Sequence, residues 1–357
     1  MLELSSEAPV LVLAGQFIRD DITSLAQQAV DLQLASDPRV QAYCVGDRYA
    51  KSIEDTSFHL HALTQALLVE EPSLFVSYVI WAEVVLSNLC LPQGCLAGSL
   101  VAIRHTLDAA LPETLSVVVG QYFELALTAL GEASVELPPA QRAPLADVAL
   151  GYLAALLAGD RGTAADIIRG AVGGGAVLPD IYEHVFKASQ HEVGRMWQSN
   201  RVSVAMEHYA TGATEAIMAQ QSGMESKGAS GERRFVGACV EGEQHDMAIR
   251  MVCDVLRSKG WDTYFLGANT PVSALVQAVE EFRPSVVGLS ATWLFNVDNV
   301  RRAVERLRES DSDVKVVVGG APFDRIDGLS AKVGADARGA SLFDLPAQLD
   351  RLISCNA

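Results

Sequence analysis

The sequence predicts a multi-domain protein of α and α/β class: an all-α N-terminal domain, a four-helix bundle and a C-terminal parallel α/β domain. Three observations predict it. Residues 234–357 alternate short β-branched runs with amphipathic stretches. Residues 1–133 and 143–222 carry helical periodicity without strand-like alternation. Two segments rich in Pro, Ser or Gly, Glu136–Pro144 and Gln220–Arg233, fall between these parts and read as linkers.

In the last part, strands are expected at Arg234–Val240, Thr263–Gly267, Ser285–Ser290, Val314–Gly319 and near Ala335–Gly339. Helices are expected at His245–Lys259, Pro271–Phe282, Val297–Glu309 and Leu345–Ser354. Strands and helices alternating at this spacing build a Rossmann-like parallel sheet covered on both faces, whose ligands bind beyond the carboxyl ends of the strands. In the middle part, Ile181, Val185, Val193 and Trp197 recur near helical spacing. Ser203 reads as the N-cap of the next helix, and breaks at Gly173–Gly175 and Asn200–Arg201 leave about four short helices. In the first part, helices are expected at Phe17–Gln33, Tyr49–Val69, Ser73–Asn88, Leu96–Ala110 and Leu115–Leu130, with Pro72, Pro92 and Pro112 at the breaks.

Composition narrows the function. Half of the 357 residues are hydrophobic and a fifth are charged, as in globular proteins. A formal net charge of −17 offers no basic patch to neutralise phosphates, so no nucleic-acid partner is expected. The longest apolar stretches noted, around Tyr78–Leu91 and Leu145–Ala158, carry Glu83 and Asp147 and are too short to span a bilayer. No basic segment precedes an apolar run at the N-terminus, and the six cysteines show no CxxC spacing. A cytoplasmic protein without membrane contact is therefore expected.

Three short motifs fall at the carboxyl ends of three predicted strands. Glu243-x-His245-x-x-Ala248 lies in the first strand-to-helix turn, Ser290-Ala291-Thr292 ends the third strand, and Gly319-Gly320 ends the fourth. A histidine at such a turn projects above the sheet edge, and a carboxylate two residues earlier can accept its other ring N–H. The paired glycines leave room for a bulky group against the backbone. In this order the motifs resemble the cobalamin-binding domain signature Asp-x-His-x-x-Gly … Ser-x-Leu/Thr … Gly-Gly, over about residues 143–340. The resemblance implies that His245 is the lower axial ligand of cobalt and Glu243 its hydrogen-bond partner. It also implies that Ser290, Thr292, Gly319 and Gly320 line a pocket for the displaced nucleotide tail. Glu243 stands where the signature has Asp, and Ala248 where it has Gly.

In the bundle, Trp197-x9-Glu207-His208 is similar to the spacing in light-responsive, adenosylcobalamin-dependent regulators. The resemblance implies that Trp197, Glu207 and His208 surround an upper adenosyl group, with adenosylcobalamin as a light-labile chromophore. Gln198 departs from those regulators, which carry there a histidine that later binds cobalt. The acidic first domain shows no helix-turn-helix. Its layout, including Asp55-x-x-x-His59 and His61, resembles the globin-like sensor domain of the photocobilins, which hold a bilin as well. That resemblance implies a second, non-covalent chromophore such as biliverdin, with His59, His61, Tyr78, Trp81, Arg104 and His105 as candidate contacts.

The expectation is a cobalamin-binding photoreceptor, not an enzyme, acting as a homo-oligomer (dimer) on a separate output partner. The alternative is a corrinoid carrier serving a methyltransferase. A cobalamin-dependent mutase would need a substrate barrel of roughly 250 residues, which the helical first domain does not provide.

Overall fold

The structure, a computed structural model, describes residues 10–87, 91–132, 144–222, 233–310 and 313–354. The chain divides into two compact units, Met1–Glu136 and Leu137–Ala357. Most of the expected linkers, together with Asn88, Cys90 and Cys355, lie outside the described residues.

The described part of the first unit is all helical: α1 Val10–Asp20, α2 Ile22–Ser36, α3 Pro38–Tyr43, α4 Asp47–Leu68, α5 Pro72–Ser87, α6 Cys95–Ala110 and α7 Glu113–Glu132. The helix expected over Phe17–Gln33 is two helices. Asp21 leaves helical geometry at ψ 30°, although the apolar pattern continues on both sides of it. The short α3 is an addition, started by Pro38 and by the Asp37 carboxylate, which accepts the Arg39 N–H at 2.9 Å. α4 buries Leu60, Leu63, Thr64 and Leu67 on one face, and α1 approaches it closely because Gly15 has no side chain against Leu68. Glu113–Gly131 of α7 is long and apolar enough by composition to cross a membrane, a stretch the sequence reading passed over. It contacts α1, α5 and α6, and about a third of it is buried (33%).

His59 of α4 is enclosed in this core, with Nδ1 2.7 Å from the Tyr78 hydroxyl and the two rings edge to face. Burial lowers its pKa from the ordinary 6.5 to about 4. The folded state therefore prefers the neutral ring, while the unfolded chain takes up a proton below pH 6.5. Stability from this group is complete above pH 6.5 and is lost as pH falls towards 4, by about 3 kcal/mol in all. Protection of the α4 and α5 amides, taken relative to the intrinsic exchange rate at each pH, is expected to fall as pH drops through this window in the parent and much less in His59→Asn. Equal pH dependence in the two proteins contradicts the assignment.

The second unit begins with four helical segments. They are α8 Ala146–Leu157, α9 Arg161–Gly173, a long segment from α10 Leu178–Ile181 through a π-helical turn Tyr182–Lys187 into α11 Ala188–Gln198, and α12 Val204–Ser222. Tyr152, Tyr182 and Phe186 pack at its centre, with ring centroids 5.2 and 5.7 Å apart. There follow β1 Arg234–Val240, α13 Met247–Ser258, β2 Asp262–Thr270, α14 Val272–Phe282, β3 Val286–Ser290, a 3-10 turn Leu294–Asn296, α15 Val297–Ser310, β4 Lys315–Gly319, α16 Ala321–Arg325, α17 Leu329–Lys332, β5 Ala337–Arg338 and α18 Leu345–Ser354.

The strands form one parallel sheet in the order β2-β1-β3-β4-β5. In this doubly wound order the chain reverses direction across the sheet between β1 and β3, which opens a crevice at their carboxyl ends. α13 serves both layers. Ile249, Cys253 and Leu256 join the core against the sheet, whereas Met251 and Val255 complete the core of the helical bundle. The Tyr182 hydroxyl donates to Asp254 Oδ2 at 2.9 Å, a buried hydrogen bond between bundle and α13.

Candidate functional site

The crevice is lined by the 241–246 loop after β1 and the 291–296 segment after β3. α13 starts at Met247, so His245 belongs to the loop and not to the helix expected from it. Three asparagines clamp this loop. Asn269 accepts the Gly242 N–H at 2.7 Å and donates its own N–H to the Glu243 carbonyl at 2.8 Å. Asn299 Nδ2 donates to the Glu241 carbonyl at 2.8 Å. Gly242 has φ +85°, and a Cβ there would lie 2.9 Å from Asn296 Oδ1, so both backbone and space require glycine.

At the centre is the Glu243 carboxylate, fully buried and hydrogen-bonded on both oxygens. Oε1 accepts the His245 backbone N–H at 2.9 Å and meets His245 Nδ1 at 2.5 Å. Oε2 accepts the Thr292 N–H at 2.7 Å, the Trp293 N–H at 3.0 Å and Asn296 Nδ2 at 3.0 Å. Burial alone would raise the carboxyl pKa; the donors, His245 first, outweigh it and hold the group at about 2. The same hydrogen bond raises the His245 pKa against burial, helped by the charges of Glu243, Glu207 and Asp246.

The chemical consequence concerns the imidazole's other nitrogen. An ionised carboxylate only accepts, so in the neutral ring Nδ1 carries the hydrogen and Nε2 carries the lone pair. The side chain is 51% exposed, which leaves that edge of the ring open to a metal. The carboxylate raises the ring's basicity and fixes its direction. A corrin-held cobalt, which needs one axial nitrogen from the protein, fits this donor.

The other motifs lie around it. Ser290 is buried at the end of β3 beside the Cys239 thiol, whose pKa burial pushes up to about 12. Gly319 ends β4 facing open space, with nothing within 4 Å of a hypothetical Cβ. Gly320 meets a constraint of its own. At φ +111° a Cβ on it would overlap the Ala291 carbonyl, so its glycine is required by the chain's own backbone.

Trp197 sits half-buried in the last turn of α11, followed by Gln198, and the Ser203 hydroxyl caps α12 by accepting the Met206 N–H at 3.2 Å. Glu207 Oε2 is 2.6 Å from His208 Nδ1, and Oε1 accepts the Thr211 hydroxyl at 3.0 Å. A polar seam of Gln190, Thr214 and Tyr152 supports this turn of α12 from within the bundle. The His208 side chain is exposed. Because the Glu207 charge acts on His245, the bundle motif and the sheet motif share one electrostatic neighbourhood.

The six bilin candidates do not form a comparable group. His59 and Tyr78 satisfy each other, and Trp81 lies 5.9 Å from the Tyr78 ring. The Arg104 guanidinium donates to the Ser116 carbonyl at 2.6 Å and pairs with Asp108 at 2.9 Å, lying over Gly120. His61 and His105 are exposed. Two positions apart on α4, His59 and His61 point to different sides of the helix, which their proximity in sequence concealed.

Sequence reasoning missed Asn269, Trp293, Asn296 and Asn299. The available signal was Asn296-x-x-Asn299 at a strand-to-helix turn, one helical turn apart and facing the motif loop.

Residues 233–343 match the family described as B12 binding domain, and residues 149–220 match a second family of the same description. The chain is 26% identical over 179 residues to the dimethylamine corrinoid protein of Methanosarcina barkeri, covering 49% of this chain and 83% of that protein. It is 28% identical over 193 residues to trimethylamine corrinoid protein 1 of Methanosarcina acetivorans, covering 52% of this chain and 88% of that protein. In fold, it is similar to the solved Methanosarcina barkeri monomethylamine corrinoid protein, with a TM-score of 0.50 and 18% identity over 58% of this chain and 99% of that one.

Proposed function

We propose that in this cobalamin-binding protein His245 Nε2 would hold the corrinoid's cobalt, and that the bound corrinoid would carry a group for exchange with a separate partner. The observation that carries the first half is the Glu243–His245 pair, with Nδ1 tied at 2.5 Å and Nε2 left as the lone-pair donor. Likeness to the dimethylamine and trimethylamine corrinoid proteins, over 83% and 88% of their lengths, supports the second half. When bound, the cobalt supplies an axial position that can hold and release an alkyl group. Glu243 orients the imidazole and keeps its proton on Nδ1. Ser290, Thr292 and Gly319 give the nucleotide tail its path at the carboxyl edge of the sheet, and Gly320 keeps the β4 end close to Ala291.

A second reading, an adenosylcobalamin-based light sensor, is favoured by Trp197, Glu207 and His208 on the bundle and by the influence of Glu207 on His245. Biliverdin as a second chromophore has no such support: His59 and Tyr78 pair with each other, and Arg104 pairs with Asp108. The two readings separate on one experiment. Purified protein is loaded with methyl-, hydroxo- and adenosylcobalamin, each affinity is measured, and the oligomeric state of each form is followed before and after green light. A carrier is expected to bind all three forms with affinities within about tenfold, equivalent to about 1.4 kcal/mol, and to keep its oligomeric state. Binding that requires the adenosyl group, with a light-driven change of assembly, overturns the carrier reading in favour of the sensor.

A further inference from the structure

The segment after β3 is unusual for a turn: Trp293, Leu294 and Phe295 are three consecutive large apolar residues, all half-buried. Its geometry is directed at the Glu243–His245 pair from two sides. Through its backbone, Trp293 donates an N–H to Glu243 Oε2 at 3.0 Å. Through its side chain, the indole lies against the His245 imidazole, with ring centroids 5.9 Å apart and planes inclined by 54°. Phe295 stacks behind the indole at 5.9 Å and 21°, and Asn296, at the end of the same 3-10 turn, donates to the same carboxylate oxygen. The 292–296 segment thus supplies three donors to Glu243, from Thr292, Trp293 and Asn296, and an aromatic wall to His245.

Glu243 alone anchors the imidazole at a single atom, Nδ1, about which the ring can still swing. A tilted aromatic contact removes that freedom, because displacing the ring from it forfeits both dispersion and quadrupole terms. We propose that Trp293 is a positioning residue for the lower axial ligand: the indole fixes the plane of His245 and so sets how completely its Nε2 engages the cobalt. This rests on His245 as the ligand. It adds a determinant outside the histidine signature.

The test uses the full chain loaded with hydroxocobalamin and reduced to the cob(II)alamin form. With the protein labelled with 15N-histidine, electron paramagnetic resonance then reads the fraction of cobalt coupled to the labelled imidazole, whose two-line splitting is distinct from the three lines given by cobalamin's own base. The parent is expected to be almost wholly coupled. Trp293→Ala is expected to lower the ratio of coupled to uncoupled cobalt about fivefold, and Trp293→Phe, which keeps a ring at the same place, to restore most of it. Far-ultraviolet circular dichroism and the amount of corrinoid bound establish that each variant is folded and loaded. A coupled fraction in Trp293→Ala equal to the parent's overturns the positioning role while leaving His245 as ligand. Absence of labelled nitrogen on the cobalt in the parent overturns the His245 assignment itself. If Trp293→Ala does not fold, Trp293→Leu, which keeps the apolar volume without a ring, gives the same discrimination.

Discussion

His245→Ala is expected to retain a folded second unit and lose the nitrogen-ligated spectrum of bound cobalamin, with affinity reduced by more than about 100-fold. The size follows from the position of the residue. Changes to groups that only support a metal ligand already cost about 10–100-fold in affinity, and this substitution removes the ligand. The half-exposed imidazole contributes little to the core, so the fold is retained, with a loss of stability because the buried Glu243 carboxylate loses its foremost donor. The visible spectrum of the loaded variant and equilibrium titration with hydroxocobalamin check both parts. An unchanged spectrum would assign the cobalt to another base.

Glu243→Gln combines a binding defect with a stability defect. The carboxylate accepts two donors from His245 on one oxygen and three from Thr292, Trp293 and Asn296 on the other. An amide has one oxygen, so whichever way it turns, its NH2 group faces donors and leaves them without an acceptor. The expected cost is about 2–4 kcal/mol, because buried donors lose their partners. Corrinoid affinity is expected to fall about 10–100-fold, because the imidazole loses its anchor.

The pH dependence has a definite sign. Glu243 is held at about 2 against an ordinary 4.5, so its contribution is complete above pH 4.5 and is lost as pH falls towards 2. Chemical denaturation of parent and variant at pH 7 and pH 3 should therefore show a gap that narrows in acid. A constant gap contradicts the ionised, five-donor arrangement.

Much of the second unit was legible because its strands are covered on both faces. β1 and α18 have the bounds expected from sequence, where a continuous β-branched run and an amphipathic repeat mark them. The Glu243–His245 pair was legible because two residues in one turn need no tertiary information to meet. The asparagine clamp and Trp293 were not, because their partners lie 27 to 58 residues away and only the strand order brings them together. The backbone constraint on Gly320 was not legible, since the Ala291 carbonyl that imposes it belongs to the neighbouring segment. In the first unit, helical content followed from periodicity. Helix geometry alone puts His59 and His61 on different sides of α4, whereas the burial of His59 against Tyr78 and the reach of Arg104 to the Ser116 carbonyl depend on helix packing.

The central claim is that the cobalt is bound by the imidazole of His245. Its most direct measurement is the electron paramagnetic resonance spectrum of the cob(II)alamin-loaded protein with and without 15N-histidine labelling. Coordination by His245 Nε2 predicts that each three-line nitrogen splitting becomes two lines on labelling, and that His245→Ala abolishes the labelled pattern. A three-line splitting unchanged by the label would place cobalamin's own base on the metal and contradict the assignment.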